Sequence, residues 1–315
     1  MSDAQSTRQD ADDVALSIIV VTHGAREMTL ACLKSLAGKT NDPSGEVIVV
    51  DNASPGALAR EIASLHPDFR LLSQVSNLGF AAAANLGADE ARSRQYLLFL
   101  NPDTVISGDT LDRLVEFARS NRFAGPLGVR TYFADGEANP ICCRRKATLW
   151  RLLCSGLGLD TRFPHSSILS GMGYVALPAT GVFAVDVVCG VCLLVERSVW
   201  DRLGGFSPAF FMYGEDDDFS LRAAQIGSPP MLALDLAIVH HGSGTEPNQA
   251  RKLCQILAAR SLIVHGYFAA PTRPVGRALL WLRPCLGRYF GKREFRPLWH
   301  NVWTKRRQWL SGRFA

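Results

Sequence analysis

Leu16-Ser17-Ile18-Ile19-Val20-Val21-Thr22 is an unbroken, mostly β-branched apolar run, and its reading decides the fold. A strand wetted on one side alternates apolar and polar residues, so a run of this kind is expected of a strand covered on both faces of a parallel sheet. Downstream, Met28, Leu30, Cys32, Leu33 and Leu36 recur at spacings near three and four, the pattern of a helix with one apolar face. Glu46-Val47-Ile48-Val49-Val50 is a second buried strand that ends at Asp51-Asn52. Strand, helix and strand make a βαβ unit, whose ligands bind beyond the carboxyl ends of the strands. Thr22 and Asp51 therefore stand where a ligand is expected. A third run, Tyr96-Leu97-Leu98-Phe99-Leu100, ends in Asn101-Pro102-Asp103 and adds polar groups at the same end. The fold class is α/β, a Rossmann-like nucleotide-binding sheet with helices on both faces.

Between the second and third strands lies Asn77-Leu78-Gly79-Phe80-Ala81-Ala82-Ala83-Ala84-Asn85-Leu86-Gly87. Small residues at a helix start permit close approach of a ligand to the backbone, and the two Asn side chains can bond hydroxyls or carbonyls. The stretch has neither the Gly-Lys-Ser/Thr ending of a P-loop nor the dinucleotide glycine fingerprint; a nucleotide held by base, ribose and metal-bridged phosphates fits better. Further on, Phe210-Phe211-Met212-Tyr213-Gly214 runs directly into Glu215-Asp216-Asp217-Asp218. Carboxylates walled by aromatics cannot all be equally hydrated, and one can acquire the proton affinity of a general base. The same run also suits a solvated helix N-terminus, where acidic residues face unpaired N–H groups.

Taken in order, Ile18 to Thr22, Asp51-Asn52-Ala53-Ser54, the Asn77 to Gly87 segment, Asn101-Pro102-Asp103, Gly204-Gly205-Phe206 and Glu215-Asp216-x-Asp218 resemble the family 2 glycosyltransferases, notably their rhamnosyltransferase-like branch. The resemblance covers roughly residues 15–265. It implies a GT-A fold and inverting transfer of a sugar, rhamnose among the candidates, from a nucleoside-diphosphate sugar to a hydroxyl of a glycan or lipid-linked acceptor in cell-surface polysaccharide synthesis. It implies that Asp51 contacts the nucleobase with Thr22 nearby, and that Asn77, Gly79 and Asn85 line the nucleotide pocket. Asp103 matches the last carboxylate of the family's Asp-x-Asp metal motif, and Asn101 stands at its first position. Asp216 matches the catalytic base, with Glu215 and Asp218 orienting it or the helix behind it. His240, with His241 as the alternate, matches a His that faces the diphosphate or completes the metal shell. His23 and Gly24 depart from the family's usual Tyr or Phe and Asn.

The chemistry asks for these residue types. A departing diphosphate needs a divalent cation, and oxygen ligands such as Asp103 suit Mg²⁺ or Mn²⁺. The acceptor hydroxyl needs a base such as Asp216, and direct displacement inverts the anomeric carbon. A sugar nucleotidyltransferase would instead open with a Gly-rich loop and a basic residue after its first strand, of which Thr22-His23-Gly24-Ala25-Arg26 is a poor version. A non-catalytic nucleotide-sugar-binding partner in polysaccharide assembly would be expected to lack Asp103 or Asp216.

At 315 residues and 47% apolar, the chain suits one catalytic domain, residues 15–265, after a polar, disordered lead, residues 1–14. No apolar stretch reaches about 18 residues, the length of a membrane-spanning helix. The eight cysteines are scattered rather than spaced as a disulfide framework, and Cys189-x-x-Cys192 lacks a second ligand pair. Buried thiols in a reducing cytoplasm are the reading. Residues 266–315 form a basic extension: from Arg273 onward eleven basic residues face Glu294 alone, a charge of +10 against +5 for the whole chain. Trp281, Leu282, Tyr289, Phe290, Trp299, Trp303 and Trp309 interleave with those charges, a mixture suited to an anionic membrane surface at the inner face, with a packed helical hairpin as the alternative and no nucleic acid expected. Residues 126–177, with Arg144, Arg145, Lys146 and Arg151, read as an irregular insertion, either an acceptor-binding lid or ordinary surface packing.

Overall fold

The computed structural model describes residues 14–38, 45–242, 248–312 and 314. The expected lead before residue 14 lies outside them. β1 (Leu16–Thr22), α1 (Arg26–Leu36) and β2 (Gly45–Asp51) form the βαβ unit, in parallel register from Leu16 opposite Gly45 to Thr22 opposite Asp51. α2 (Leu58–Leu65) leads to β3 (Arg70–Ser73), and α3 (Phe80–Asp89) crosses to β4 (Tyr96–Leu100), which pairs with the other side of β1. Strands therefore leave β1 in both directions, and the crevice at its carboxyl end is where such sheets take ligands.

Beyond β4 the chain forms β5 (Thr104–Val105), α4 (Thr110–Ser120), β6 (Leu127–Tyr132), β7 (Ala138–Asn139), β8 (Cys143–Arg144), α5 (Leu149–Leu157) and α6 (Leu159–Arg162). Then come β9 (Val182–Ala184), β10 (Val187–Val188), β11 (Cys192–Glu196), α7 (Arg197–Leu203), α8 (Glu215–Gln225) and β12 (Met231–His240). The main sheet runs β3-β2-β1-β4-β11-β6-β12-β5, and β8 pairs with β10 in a small second sheet. Residues 126–177 thus contain three strands and two helices, one of them delivering Arg144 to the second sheet.

Side chains of β1 alternate between two apolar layers, which is why its run is unbroken. Ile18 and Val20 pack with Leu33, Leu36, Leu111 and Leu114; Ile19 and Val21 pack with Ala81, Ala84, Phe99, Phe206 and Phe219. Burying each large aliphatic side chain is worth about 1.5–3 kcal/mol. The alanines of α3 let it lie close to the sheet, and a Cβ on Gly87 would stand 2.6 Å from Ile19 Cγ2.

The C-terminal region is a helical bundle. α9 (Gln249–Tyr267), whose first turn is capped by the Asn248 side chain accepting from Arg251 N, crosses the boundary expected at 265. α10 (Arg273–Phe290), α11 (Arg296–Thr304) and α12 (Arg306–Leu310) pack on it and on α5 through Leu152, Cys254, Leu280, Val302 and Trp309. Trp309 is fully buried, its indole N–H donating to Val302 O at 2.9 Å, and Ser261 Oγ donates to Leu310 O at 2.9 Å. The tryptophans expected together at a membrane surface therefore divide. Trp309 belongs to the core, and Trp299 and Trp303 are half-buried beneath Arg283, Arg288 and Arg306. Trp281, Tyr289 and Phe290 stay exposed, Phe290 at 80%.

Replacing Trp309 with Ala should destabilise the full-length protein by about 3–5 kcal/mol, the cost of emptying a large buried site. Denaturant unfolding without any membrane checks this. An unchanged midpoint would return Trp309 to the surface.

Candidate active site

α8 carries the acidic run. Glu215, Asp216 and Asp218 are all less than 10% exposed, so the solvated reading of this helix start is excluded. The segment before it is fastened to α3. Phe80 N donates to Phe211 O at 2.7 Å, and Gly79, at φ +83°, has no room for a side chain: a Cβ would stand 2.3 Å from that oxygen. Asn85 Nδ2 donates to Phe206 O at 2.8 Å, and Phe206 N donates to Asn85 Oδ1 at 2.9 Å. Gly79 and Asn85, expected to line a nucleotide pocket, thus spend their small size and their amide on the chain itself. Behind α8, Tyr267 Oη donates to Asp218 Oδ1 at 2.6 Å and Arg222 Nε donates to Asp218 Oδ2 at 2.8 Å, so Asp218 ties α8 to α9.

Asp216 faces a cleft whose walls include His23, Asn52, Asn101, Asp103, Glu215 and His240. Its Oδ1 accepts from Arg144 Nη2 at 2.7 Å and from Asp217 N at 2.9 Å, and its Oδ2 accepts from Gly190 N at 3.0 Å. Arg144 Nη2 also donates to Asp217 Oδ2 at 3.0 Å. Burial alone would pull the Arg144 guanidinium down; the charges of Asp216 and Asp217 reverse that and hold it well above its ordinary value. Glu215 has no such partner. Its Oε2 is buried without a hydrogen bond, and burial, then the Asp216 charge, push its carboxyl up to about 8. At neutral pH Glu215 is mostly protonated and does not orient Asp216 through Oε2. Arg144, left unassigned in the sequence, is the cation that joins the acidic turn.

Across the cleft Asp103, 5% exposed, faces His240 Nε2 at 3.3 Å. His241 is exposed and only its backbone N–H meets Asp103, donating to the carbonyl at 3.0 Å, so of this pair it is His240 whose side chain faces the site. Asn139 Oδ1 accepts from Ile141 N, while its Nδ2 donates to His240 O at 3.2 Å and lies 3.1 Å from His240 Nδ1. The two backbone partners fix the amide, so Nδ1 is an acceptor and the proton of the neutral ring sits on Nε2, toward Asp103. A ring held this way turns Nε2 to the Asp103 carboxylate, so the histidine and the carboxylate expected at the metal stand side by side. Among the described residues no three His, Cys, Asp or Glu side chains are placed to hold a metal ion together.

At the strand ends, Asn52 Oδ1 accepts from Leu78 N at 2.8 Å and its Nδ2 donates to Asn77 Oδ1 at 3.0 Å and to Gly79 O at 3.2 Å. Asn77 Oδ1 also accepts from Gly79 N, so both asparagines shape the loop that walls the cleft. Thr22 Oγ1 bonds Thr29 Oγ1 at 2.7 Å and points to α1 rather than to the cleft, and Asp51 Oδ1 accepts from Ser54 N at 3.0 Å. His23 replaces them on the cleft wall, with Nδ1 2.8 Å from Asn52 O. Cys189 and Cys192 are buried free thiols, Cys192 pushed up to about 12 by burial, which suits neither redox nor zinc chemistry.

A family model described as "Glycosyl transferase family 2" matches residues 17–171. The chain is 26% identical over 245 residues to the N-acetylglucosaminyl-diphospho-decaprenol L-rhamnosyltransferase of Mycobacterium tuberculosis, covering 74% of this chain and 78% of that one. It is 28% identical over 221 residues to the rhamnosyltransferase WbbL of Escherichia coli, covering 67% and 77%. Its fold matches that of a mannosyltransferase from Pyrobaculum calidifontis, solved with GDP-Man and Mn²⁺, at a TM-score of 0.54 and 18% identity over 94% of this chain and 83% of that one. The sheet is the GT-A fold, and a family 2 glycosyltransferase domain is matched over residues 17–171 of the chain.

Proposed function

We propose that this glycosyltransferase moves a sugar, rhamnose first among the candidates, from a nucleoside-diphosphate donor to a hydroxyl of a lipid-linked glycan, with inversion and with Asp216 as base. The observation that carries the reading is the meeting of Asp216 and Asp103 in one cleft at the carboxyl ends of β1 and β4. The names of the M. tuberculosis and E. coli relatives support the sugar, and the former supports a diphospholipid acceptor. Asp103, buried beside Asn101, fits a divalent cation held by one protein carboxylate, a ligand set Mg²⁺ and Mn²⁺ accept when substrate phosphates supply the rest. When bound, that cation would neutralise charge on the departing diphosphate. His240, with its proton on Nε2, serves as a donor to Asp103 or to a diphosphate oxygen. Protonated Glu215 supplies a hydroxyl-binding group beside the base, and Asp216 takes the acceptor proton.

The exposed Trp281, Tyr289 and Phe290 lie on a helix bearing Arg277 and Arg288, near Lys292, Arg293 and Arg296. Each basic residue near an anionic surface contributes on the order of 1 kcal/mol, screened by salt. Tyr289 and Phe290, exposed at the end of this helix beside the basic residues that follow, support peripheral attachment to an anionic membrane where a lipid-linked acceptor is met, and eight free cysteines support a reducing, cytoplasmic side.

Asp216→Asn should lower transfer by about 10²-fold or more while nucleotide-sugar affinity stays within about twofold, because the amide keeps the shape and cannot take the proton. Turnover with a panel of UDP-, GDP- and dTDP-linked sugars and a polyprenyl-diphosphate-linked N-acetylglucosamine acceptor checks it; equal loss of donor affinity would remove Asp216 as base. The full-length Tyr289→Ser, Phe290→Ser double variant should bind phosphatidylglycerol vesicles roughly tenfold more weakly than the parent, by the area two such side chains withdraw from water. Co-sedimentation at low and high salt measures this. Parent binding no stronger to anionic than to neutral vesicles would exclude the membrane face.

A further inference from the structure

Asp216 has two oxygens, and the chain treats them differently. Oδ1 accepts two hydrogen bonds, from Arg144 Nη2 and from Asp217 N, which fills its usual capacity. Oδ2 accepts one, from Gly190 N, and keeps a position open. Arg144 arrives from β8, a strand outside the main sheet, and its Nη2 is shared between Asp216 and Asp217. Its Nε is buried without a partner, so the guanidinium is placed for the bridge even though another of its donors goes unmet.

We propose that Arg144 is a positioning residue for the transfer: by occupying Oδ1 it fixes the rotation of the Asp216 carboxylate and leaves Oδ2 as the atom that takes the acceptor proton. This rests on the reading of Asp216 as base. The O–H bond of the acceptor breaks as the new glycosidic bond forms at the anomeric carbon, the bond to the diphosphate breaks, and the proton goes to Oδ2. Without Arg144 the carboxylate can turn about its terminal torsion, which is broad for Asp, and the acidic turn loses the cation that joins Asp216 to Asp217. Misplacement of a base by about 1 Å is enough to cost on the order of 10²-fold in rate.

The test is full-length Arg144→Met and Arg144→Lys, assayed for kcat, acceptor KM and affinity for the same donor panel, alone and combined with Asp216→Asn. Arg144→Met is expected to lower kcat by about 10²-fold with donor affinity within about twofold, and Arg144→Lys to restore part of the loss. Added to Asp216→Asn, Arg144→Met should change the residual rate less than about twofold, because it acts through a group already disabled. If Arg144→Met does not fold, Arg144→Lys with lowered kcat and unchanged donor affinity supports the proposal, and Arg144→Lys with parental kcat overturns it. An Arg144→Met kcat within twofold of the parent, or a loss that multiplies fully onto Asp216→Asn, also overturns it. An active Asp216→Asn overturns the base reading instead.

Discussion

The acidic first turn of α8, buried against the end of the sheet, is the constraint on which the site depends. Its helix N-terminus favours acidic groups by about 0.3–1 kcal/mol each, far less than burying several carboxylates together costs. The chain offsets that cost unequally. Asp216 and Asp217 share Arg144, Asp218 takes Arg222 and Tyr267, and Glu215 takes neither and remains mostly protonated at neutral pH. Neighbouring carboxyls are thereby placed in different environments, Asp216 against a guanidinium and Glu215 without one, the kind of division acid–base chemistry needs.

Holding that turn in place occupies much of the surrounding polar machinery. The preceding loop is stitched to α3 by Gly79 and Asn85, α3 is set on β1 and β2 by its small residues, and α9 braces α8 from behind. Core packing and base placement are therefore one problem. Phe206 packs in the apolar layer under α3, and Phe211 O accepts from Phe80 N at the start of α3, so the segment leading into α8 rests on that layer.

The sheet was legible because a strand buried on both faces writes itself as an unbroken apolar run, and polar residues just past such runs, as at Asn101 and Asp103, mark the ligand-binding end. Polar residues that serve the backbone have the same spelling as those that serve a ligand. Thr22, Asn77 and Asn85 read as pocket residues and are bonded to Thr29, to Gly79 and to Phe206. Arg144 was hidden for another reason: a two-residue strand in a long connection has no periodicity, and its partner lies 72 residues away. The tail was ambiguous because interleaved Trp and Arg suit both a membrane surface and a packed bundle with guanidinium groups over indoles. Only burial separates Trp309 from Trp281.

The central claim is a single displacement driven by one base on one face of the sugar. The most direct measurement is the anomeric configuration of the transferred sugar, read from the one-bond C–H coupling at the anomeric carbon in donor and product by NMR. The account predicts opposite configurations in the two. Retention of the donor's configuration would contradict it, since it would require a second displacement through a nucleophile in place of a base.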